Sequence, residues 1–328
     1  MDFKYQVLAL VLALGLDLAL ADPYSWPHPV KAMGRLIDIY TKKSGVFDKD
    51  KKAQLTYSIR LTADMVILAI LVPWVILTIG KKINFYLYFA LYTYLIYTCI
   101  SLRGMAKEAK KVLRETDKGL DEGRRQVGMI VGRSTERLSQ EEIYKATIES
   151  TAESTADGVI APLFYILLCG VWGPIGGMVY KAVNTMDSMV AYRTDKYINY
   201  GRYPAILDDI LNFIPARLTG FFLLLAGFLL GLDVKKGIRI LKRDRKAHLS
   251  PNSAYPEAVV AGLLGISLGG GHYYKGVFID KPTIGDETKK TSRKDVELTI
   301  SLLYLSSFLF LGLGLGLSFI IRKLVMRF

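Results

Sequence analysis

The chain has 328 residues, enough for two ordinary soluble domains, yet 51% are hydrophobic, with 20 tyrosines and 14 phenylalanines, and mean hydropathy is +0.27. That apolar excess excludes disordered, collagenous and small secreted classes, and a net charge of +13 points to an anionic membrane surface or phosphorylated ligands before nucleic acid. Two cysteines, Cys99 and Cys169, exclude a disulfide scaffold, a zinc ribbon and a CxxC redox site, and three histidines (His28, His248, His272) are too few and scattered for a histidine-rich metal centre.

In chain order, residues 5–21 are apolar and end in Ala19-Leu20-Ala21, which resembles a secretory cleavage site. Asp17 inside the stretch, and Asp2 cancelling Lys4 before it, argue for a retained helix instead. Residues 65–80 carry Pro73 and are separated from 83–102 by Lys81-Lys82, a pattern that predicts a helical hairpin with a basic tip. Residues 83–102 and 299–321 are each long enough to cross roughly 30 Å of hydrocarbon. Residues 103–157 place Arg103, Lys107, Lys110 and Arg114 at helical spacing and read as an amphipathic helical region. The apolar run 159–180 is interrupted by Gly170, Gly173, Pro174, Gly176 and Gly177, which predicts a broken, re-entrant or interfacial helix, and 218–232 is short for a span. No repeat and no alternating strand pattern is present. The expected fold is all-α: one polytopic membrane domain over 1–328, with spans near 5–20, 65–80, 83–102 and 299–321 and a polar site facing the cytoplasm.

Five polar clusters hold more Asp, Asn, Arg and Pro than helix ends require. Asp22 to Val30, DPYSWPHPV, has three prolines that fix φ and form a rigid turn presenting His28; a lone histidine more often serves structure. Glu149, Glu153 and Asp157 recur at i, i+4 and i+8, so a continuing helix stacks three like charges on one face. Either a solvated face or a cation must relieve them, and Mg²⁺ or Arg133 suits. Lys181, Asn184 and Asp187 recur at i+3, offering a cation, an amide and a carboxylate for phosphate, hydrogen bond and metal. Asp208, Asp209, Asn212 and Arg217 form the fourth cluster. Adjacent acids near a membrane surface are costly to desolvate without a metal or Arg, and oxygen-ligated Mg²⁺ is the natural partner. The fifth runs from Arg243, Asp244, Arg245 and His248 through SPNSAYPEA, with Asn252 and Glu257, to Gly262, Gly265 and Gly269 to Gly271. Those glycines fit close helix packing or a loop better than a phosphate cradle. There is no P-loop, GxSxG elbow, HExxH or GxGxxG opening a helix. Asp157-Gly158 begins like the DGxxAR signature of CDP-alcohol phosphotransferases, but Pro162 stands where Arg is required.

Taken in order, the clusters resemble the CobD/CbiB family, integral membrane proteins of cobalamin biosynthesis that act as adenosylcobinamide-phosphate synthases. The resemblance covers about Asp17 to Phe278. It rests on DPYSWPHPV with Gly34; VGRSTERL followed by Glu149, Ala152-Glu153 and DGVIAPLFY; NTMDSM; LDDILNFIPARL; and SPNSAYPEA. The departures are Ala21 where Gly is usual, Ser134 for Asp, Ser154 for Asn, and Ala254-Tyr255 for Gly-Trp. Ser154 cannot supply an amide's two donors. The resemblance also implies that residues 1–21 stay attached.

What it implies chemically is ATP-dependent amide formation between a carboxylate of adenosylcobyric acid, a corrinoid, and an amino-alcohol phosphate such as aminopropanol phosphate. A carboxylate needs activation, as an acyl phosphate for instance, with Mg²⁺ neutralising the transferred phosphoryl group. On that reading Asp187, Asp208 and Asp209 hold Mg²⁺ with the nucleotide. Glu149, Glu153 or Asp157 positions or deprotonates the attacking ammonium. Arg133, Lys181 and Arg217 meet phosphates, and His28, Asn184, Asn212, Asn252 and Glu257 orient substrate. A single site requires all five clusters on one membrane face, the cytoplasmic one where ATP is, and the basic residues of 31–60 and 103–145 agree. The competing classes are a corrinoid-binding transporter without catalysis and a membrane phosphotransferase. No nucleic-acid partner is expected.

Overall fold

A computed structural model describes the chain except Asp22, Tyr24, Ser25, Pro27, Arg193, Leu249, Lys275, Gly276, Lys281 and 326–328; for residues 272–279 and Val325 it describes the backbone alone. Four residues of the turn expected to present His28 therefore lie outside the described residues. The architecture is helical, and among the described residues six stretches are long and apolar enough to cross a membrane: Phe3–Leu20, Lys51–Ile83, Phe85–Lys118, Gln140–Val190, Arg202–Leu229 and Arg293–Leu324. The protein is an all-α polytopic membrane protein. By contact it divides into two compact units, each built from non-consecutive segments: unit 1 is 1–101, 161–212 and 318–328, and unit 2 is 102–160 and 213–317.

Unit 1 opens with α1 (Phe3–Leu20), α2 (Pro29–Ser44), α3 (Lys51–Ile83) and α4 (Phe85–Tyr97). Helices α1 and α4 lie side by side in the same direction. Tyr5 meets the Phe85 ring at 4.8 Å near their starts, and the Tyr97 hydroxyl donates to the Ala21 carbonyl near their ends. The hairpin predicted around Lys81-Lys82 is present. Asn84 ends α3 and caps α4 by accepting from the Leu87 N–H at 2.8 Å. The two lysines sit in the last turn of α3, where a helix dipole favours cations. Gly80 lets the arms close, since a Cβ there would stand 2.8 Å from Leu91 and 3.3 Å from the Tyr88 backbone. The apolar run read from residue 65 is the second half of a longer helix that starts at Lys51, where Asp50 accepts from the Ala53 N–H at 2.8 Å.

The interrupted run 159–180 is a broken helix, as the glycines predict, folded as a helical hairpin. Helix α8 (Ala161–Cys169) has nine residues, about 14 Å or half a bilayer core, then the chain turns through Gly170–Trp172 into α9 (Gly173–Val190). The two arms are antiparallel. Tyr165 stacks on Tyr180, a Cβ at Gly177 would sit 3.0 Å from Ile166, and one at Gly176 would sit 2.6 Å from the Cys169 sulfur. Gly170 makes the turn at φ +56°, and its carbonyl accepts from the Tyr92 hydroxyl at 3.0 Å, which satisfies non-helical backbone at membrane depth. The segment 218–232 departs from expectation. It is no separate short helix but the second part of α10 (Arg202–Leu229), 28 residues or about 42 Å, long enough to span. The polar start of that helix hid its length from a reading of apolar runs.

Unit 2 holds the amphipathic region as α5 (Leu102–Lys118), α6 (Leu120–Val127) and α7 (Gln140–Thr155). Arg103, Lys107, Lys110 and Arg114 are exposed, while Leu102, Ala106, Ala109, Val112 and Leu113 are buried. Ser139 and Glu142 form a reciprocal capping box at the start of α7. A π-helical turn, Ala156–Ile160, follows. Helices α11 (Val234–Asp244) and α12 (Ala254–Leu264) meet at Gly237 and Gly262, where a Cβ on Gly262 would lie 2.7 Å from the Gly237 Cα. The glycine run is thus a packing device that continues into a strand. Four three-residue strands, absent from the sequence reading, form two antiparallel ladders: β1 (Ser267–Gly269) with β4 (Thr283–Gly285), and β2 (His272–Tyr274) with β3 (Val277–Ile279). Strands this short and glycine-rich carry no alternation to detect. Helix α13 (Arg293–Val325) closes the chain.

Candidate functional site

The fourteen residues singled out in the sequence fall into two groups, one in each unit. In unit 2, α7 presents Glu149 and Glu153 one turn apart, and the loop before it carries Arg133. The like-charge repulsion expected along that face is relieved by an ion pair: Arg133 Nη1 stands 2.9 Å from Glu149 Oε2, with the two side chains 7% and 16% exposed. Glu149 also accepts from the Gly269 N–H of β1 at 2.6 Å, and Glu153 accepts from the Ser253 hydroxyl at 2.8 Å. Charge-assisted hydrogen bonds of this kind fix both carboxylates. Around them is a polar cleft of about 160 Å³, lined by Arg133, Glu149, Ser150, Glu153, His248, Glu257, Gly269 and neighbouring apolar residues. The Nε of Arg133 is buried and has no hydrogen-bond partner among the described residues. Arg133, expected to meet phosphate, is thus engaged first by Glu149.

Asp157 does not line this cleft. It lies in the π-helical turn, off the 3.6-residue register that Glu149 and Glu153 share, so the expected three-carboxylate stack is a pair. The turn packs closely on α5: a Cβ at Gly158 would run into the Met105 side chain. Arg217 Nη1 donates to Asn252 Oδ1 at 2.8 Å and to the Phe213 carbonyl at 2.6 Å, and its guanidinium lies over the Phe213 and Tyr255 rings at 3.6 and 4.4 Å. This arginine ties α10 to the segment before α12. That segment is shaped by local bonds, the Ser250 N–H donating to His248 Nδ1 at 3.1 Å and the Asn252 N–H to the Ser250 hydroxyl at 3.3 Å.

Arg243 and Asp244, noted beside His248, act as a clamp. Arg243 holds Asp244 at 2.6 Å and Asp286 at 2.6 Å, while Asp244 accepts from the Gly285 N–H at 2.8 Å, which fastens β4 to α11. Burial raises the Asp244 pKa, but the Arg243 and Gly285 hydrogen bonds outweigh it and leave the carboxyl below its ordinary value. Asp286 is held low chiefly by its hydrogen bond from Arg243.

In unit 1 the central feature is a buried chain: the Tyr180 hydroxyl donates to Asn212 Oδ1 at 2.9 Å, and Asn212 Nδ2 donates to Asp208 Oδ2 at 3.0 Å. Asp208 and Asn212 are buried, one helical turn apart on α10. Lys181, Asn184 and Asp187 are half-buried on α9, and Asp209 is half-buried on α10. His28 caps α2, its Nδ1 accepting from the Val30 N–H at 3.3 Å, so it has at least the structural role that a lone histidine usually has.

The three aspartates expected to hold Mg²⁺ with the nucleotide, Asp187, Asp208 and Asp209, lie in unit 1 on α9 and α10. Among the described residues no three His, Cys, Asp or Glu side chains come together in a way that holds a metal ion. The reason lies in helix geometry: Asp208 and Asp209 are consecutive on α10, and i,i+1 side chains do not face a common point. The sequence reading also passed over Ser253, Gly269 and Tyr180. Ser253 lies within the quoted SPNSAYPEA string and Gly269 within the glycine run, but nothing in either pattern marks a carboxylate's partner 100 or 120 positions away in the chain.

The model of the CobD/Cbib protein family matches residues 10–303. The chain belongs to the CobD/CbiB family. It is 50% identical over 301 residues to the cobalamin biosynthesis protein CobD of Listeria monocytogenes serovar 1/2a, covering 89% of this chain and 92% of that one. It is 47% identical over 302 residues to CobD of Streptococcus sanguinis, covering 92% and 94%. To the cobalamin biosynthesis protein CbiB of Salmonella typhi it is 39% identical over 315 residues, covering 94% and 96%. No solved structure matches the chain. Membership of the family supports a role in cobalamin biosynthesis and a corrinoid-type substrate for this membrane-embedded chain.

Proposed function

We propose that this CobD/CbiB member is an adenosylcobinamide-phosphate synthase, which joins an amino-alcohol phosphate to a carboxylate of adenosylcobyric acid as an amide at the expense of ATP. The observation that carries the reading beyond the family is the unit 2 cleft. Its lining has one arginine against three carboxylates, Glu149, Glu153 and Glu257, so it favours a cationic ligand. At about 160 Å³ it suits a small molecule and is too small for a corrinoid or a nucleotide. The amine end of the amino-alcohol phosphate meets both requirements.

In this assignment Glu149 is spent on Arg133 and Gly269. Glu153, oriented by Ser253, takes the ammonium proton and leaves the neutral amine needed for attack. Holding that amine against the activated carboxyl supplies the proximity that makes acyl transfer fast. ATP would be delivered as its magnesium complex, with Arg217 of unit 2 as a candidate phosphate contact. The site is placed on the cytoplasmic side of the cell membrane, which the basic exposed face of α5 supports. The test is a pH profile of kcat/KM for purified protein and for Glu153→Gln. The wild type should show an ascending limb from the base, and the variant should lose that limb together with rate. An unchanged profile in the variant removes Glu153 from the role.

A further inference from the structure

Unit 1 contains a second cavity, of about 430 Å³, between α3, α8, α9 and the first part of α10. Its walls include Ile70, Trp74, Tyr165, Cys169, Trp172 and Val179, and they are almost wholly apolar. All these helices belong to stretches long and apolar enough to cross a membrane, and the lining of the cavity has the same apolar character.

The short first arm of the helical hairpin borders the cavity. Helix α8 rises only about 14 Å before turning, whereas α3, with 33 residues, rises about 50 Å. Cys169 and Trp172, at and just past the end of α8, line the space where a full-length helix would have continued. Two aromatic hydroxyls near the walls are satisfied by the protein itself: Tyr165 donates to the Leu211 carbonyl at 2.8 Å and Tyr180 to Asn212 at 2.9 Å. Ring faces and aliphatic carbons are therefore what an occupant meets. Water gains too few polar partners in such a space, and an empty space leaves its lining without dispersion contacts. At the rim Trp74 is 45% and Trp172 55% exposed, beside Leu168 and Val171, which are also exposed, so the opening is continuous with the surface that faces hydrocarbon.

We propose that one acyl chain of a bilayer lipid occupies this cavity and completes the column that α8 leaves half filled. The site is hydrocarbon-specific and indifferent to headgroup. It also touches the buried acid of α10, because Tyr180, whose ring forms part of the wall, holds Asn212 and through it Asp208.

Cys169 gives a direct readout, since the chain's other cysteine, Cys99, is 1% exposed. The full chain, purified in detergent, is examined by native mass spectrometry, then delipidated and labelled at Cys169 with N-ethylmaleimide, with and without added palmitoyl-oleoyl phosphatidylglycerol. One phospholipid should be retained per chain. Lipid at about ten times its Kd should slow labelling about tenfold, the factor 1 + [L]/Kd. Oleic acid should protect as the phospholipid does, and glycerophosphate should not. Val179→Phe, which fills the cavity, should lose the retained lipid. Labelling at the same rate with and without lipid overturns the proposal in the wild-type protein alone, whatever the variant does. So does protection that follows protein concentration, the mark of a second copy, or a retained corrinoid in place of lipid. None of these outcomes bears on amide synthesis in unit 2.

Discussion

Removing Glu149 should expose how the unit 2 cleft is held together. Glu149→Ala leaves the Arg133 guanidinium, whose side chain is 7% exposed, without its 2.9 Å partner and leaves the Gly269 N–H without its acceptor. Breaking a buried pair on one side costs about 3–5 kcal/mol. Glu149 is itself 16% exposed, so the lower end, about 3 kcal/mol, applies. An unsatisfied amide adds about 1 kcal/mol. Local opening of the cleft should therefore become easier by about 4 kcal/mol, close to a thousandfold, read as lost hydrogen-exchange protection at Gly269 and across 130–133. The double variant Arg133→Met with Glu149→Leu removes the stranded charge and should recover about 2 kcal/mol of that loss. Wild-type protection in the single variant, or a double variant worse than the single, would refute the claim that the pair is mutually dependent.

Tyr180→Phe should leave Asn212 Oδ1 buried without its donor and lower unfolding stability by about 1–3 kcal/mol; an unchanged stability would mean that the chain to Asp208 is not structural. Gly262→Ala places a methyl group 2.7 Å from the Gly237 Cα and should cost about 1–3 kcal/mol through separation of α11 and α12, measured as increased exchange in both helices. The clamp of Arg243 with Asp244 and Asp286 has a defined pH dependence. Both carboxyls are depressed in the folded state, so their contribution is complete above the ordinary aspartate value of 3.8 and is lost as pH falls through their lower folded values. Exchange across β4 should be flat from pH 5 to 8 once corrected for intrinsic rates, and should rise only in stronger acid; a rise centred near pH 6 would assign the clamp to another group.

Much of the membrane architecture was legible because the bilayer imposes long apolar runs, and interruptions in them stand out. Gly170, Gly173, Gly176 and Gly177 announced the break in the helix, since glycine lets the two arms approach to backbone contact. The length of α10 was not legible, because its first turns carry Asp208, Asp209 and Asn212 and look like a loop beside an apolar segment. In the cleft, the spacing of Glu149 and Glu153 called for a solvated face or a cation, and Arg133 supplies a cation to Glu149. The same spacing argument failed at Asp157, where the helix widens into a π turn that no residue pattern specified. Ser253 and Gly269, which hold the two carboxylates, come from distant parts of the chain and become visible only when it is folded.

If the unit 2 cleft carries amide synthesis, product formation by wild type and Glu153→Gln side by side shows it. Purified protein in detergent is incubated with adenosylcobyric acid, aminopropanol phosphate, ATP and Mg²⁺, and the corrinoid is weighed by mass spectrometry. Wild type should yield a corrinoid heavier by the amine phosphate less one water, dependent on all substrates, with the variant slower by about 10²–10⁴, the usual worth of a positioned base. A wild-type protein that binds corrinoid tightly yet forms no amide, or a variant that turns over at the wild-type rate, would contradict it.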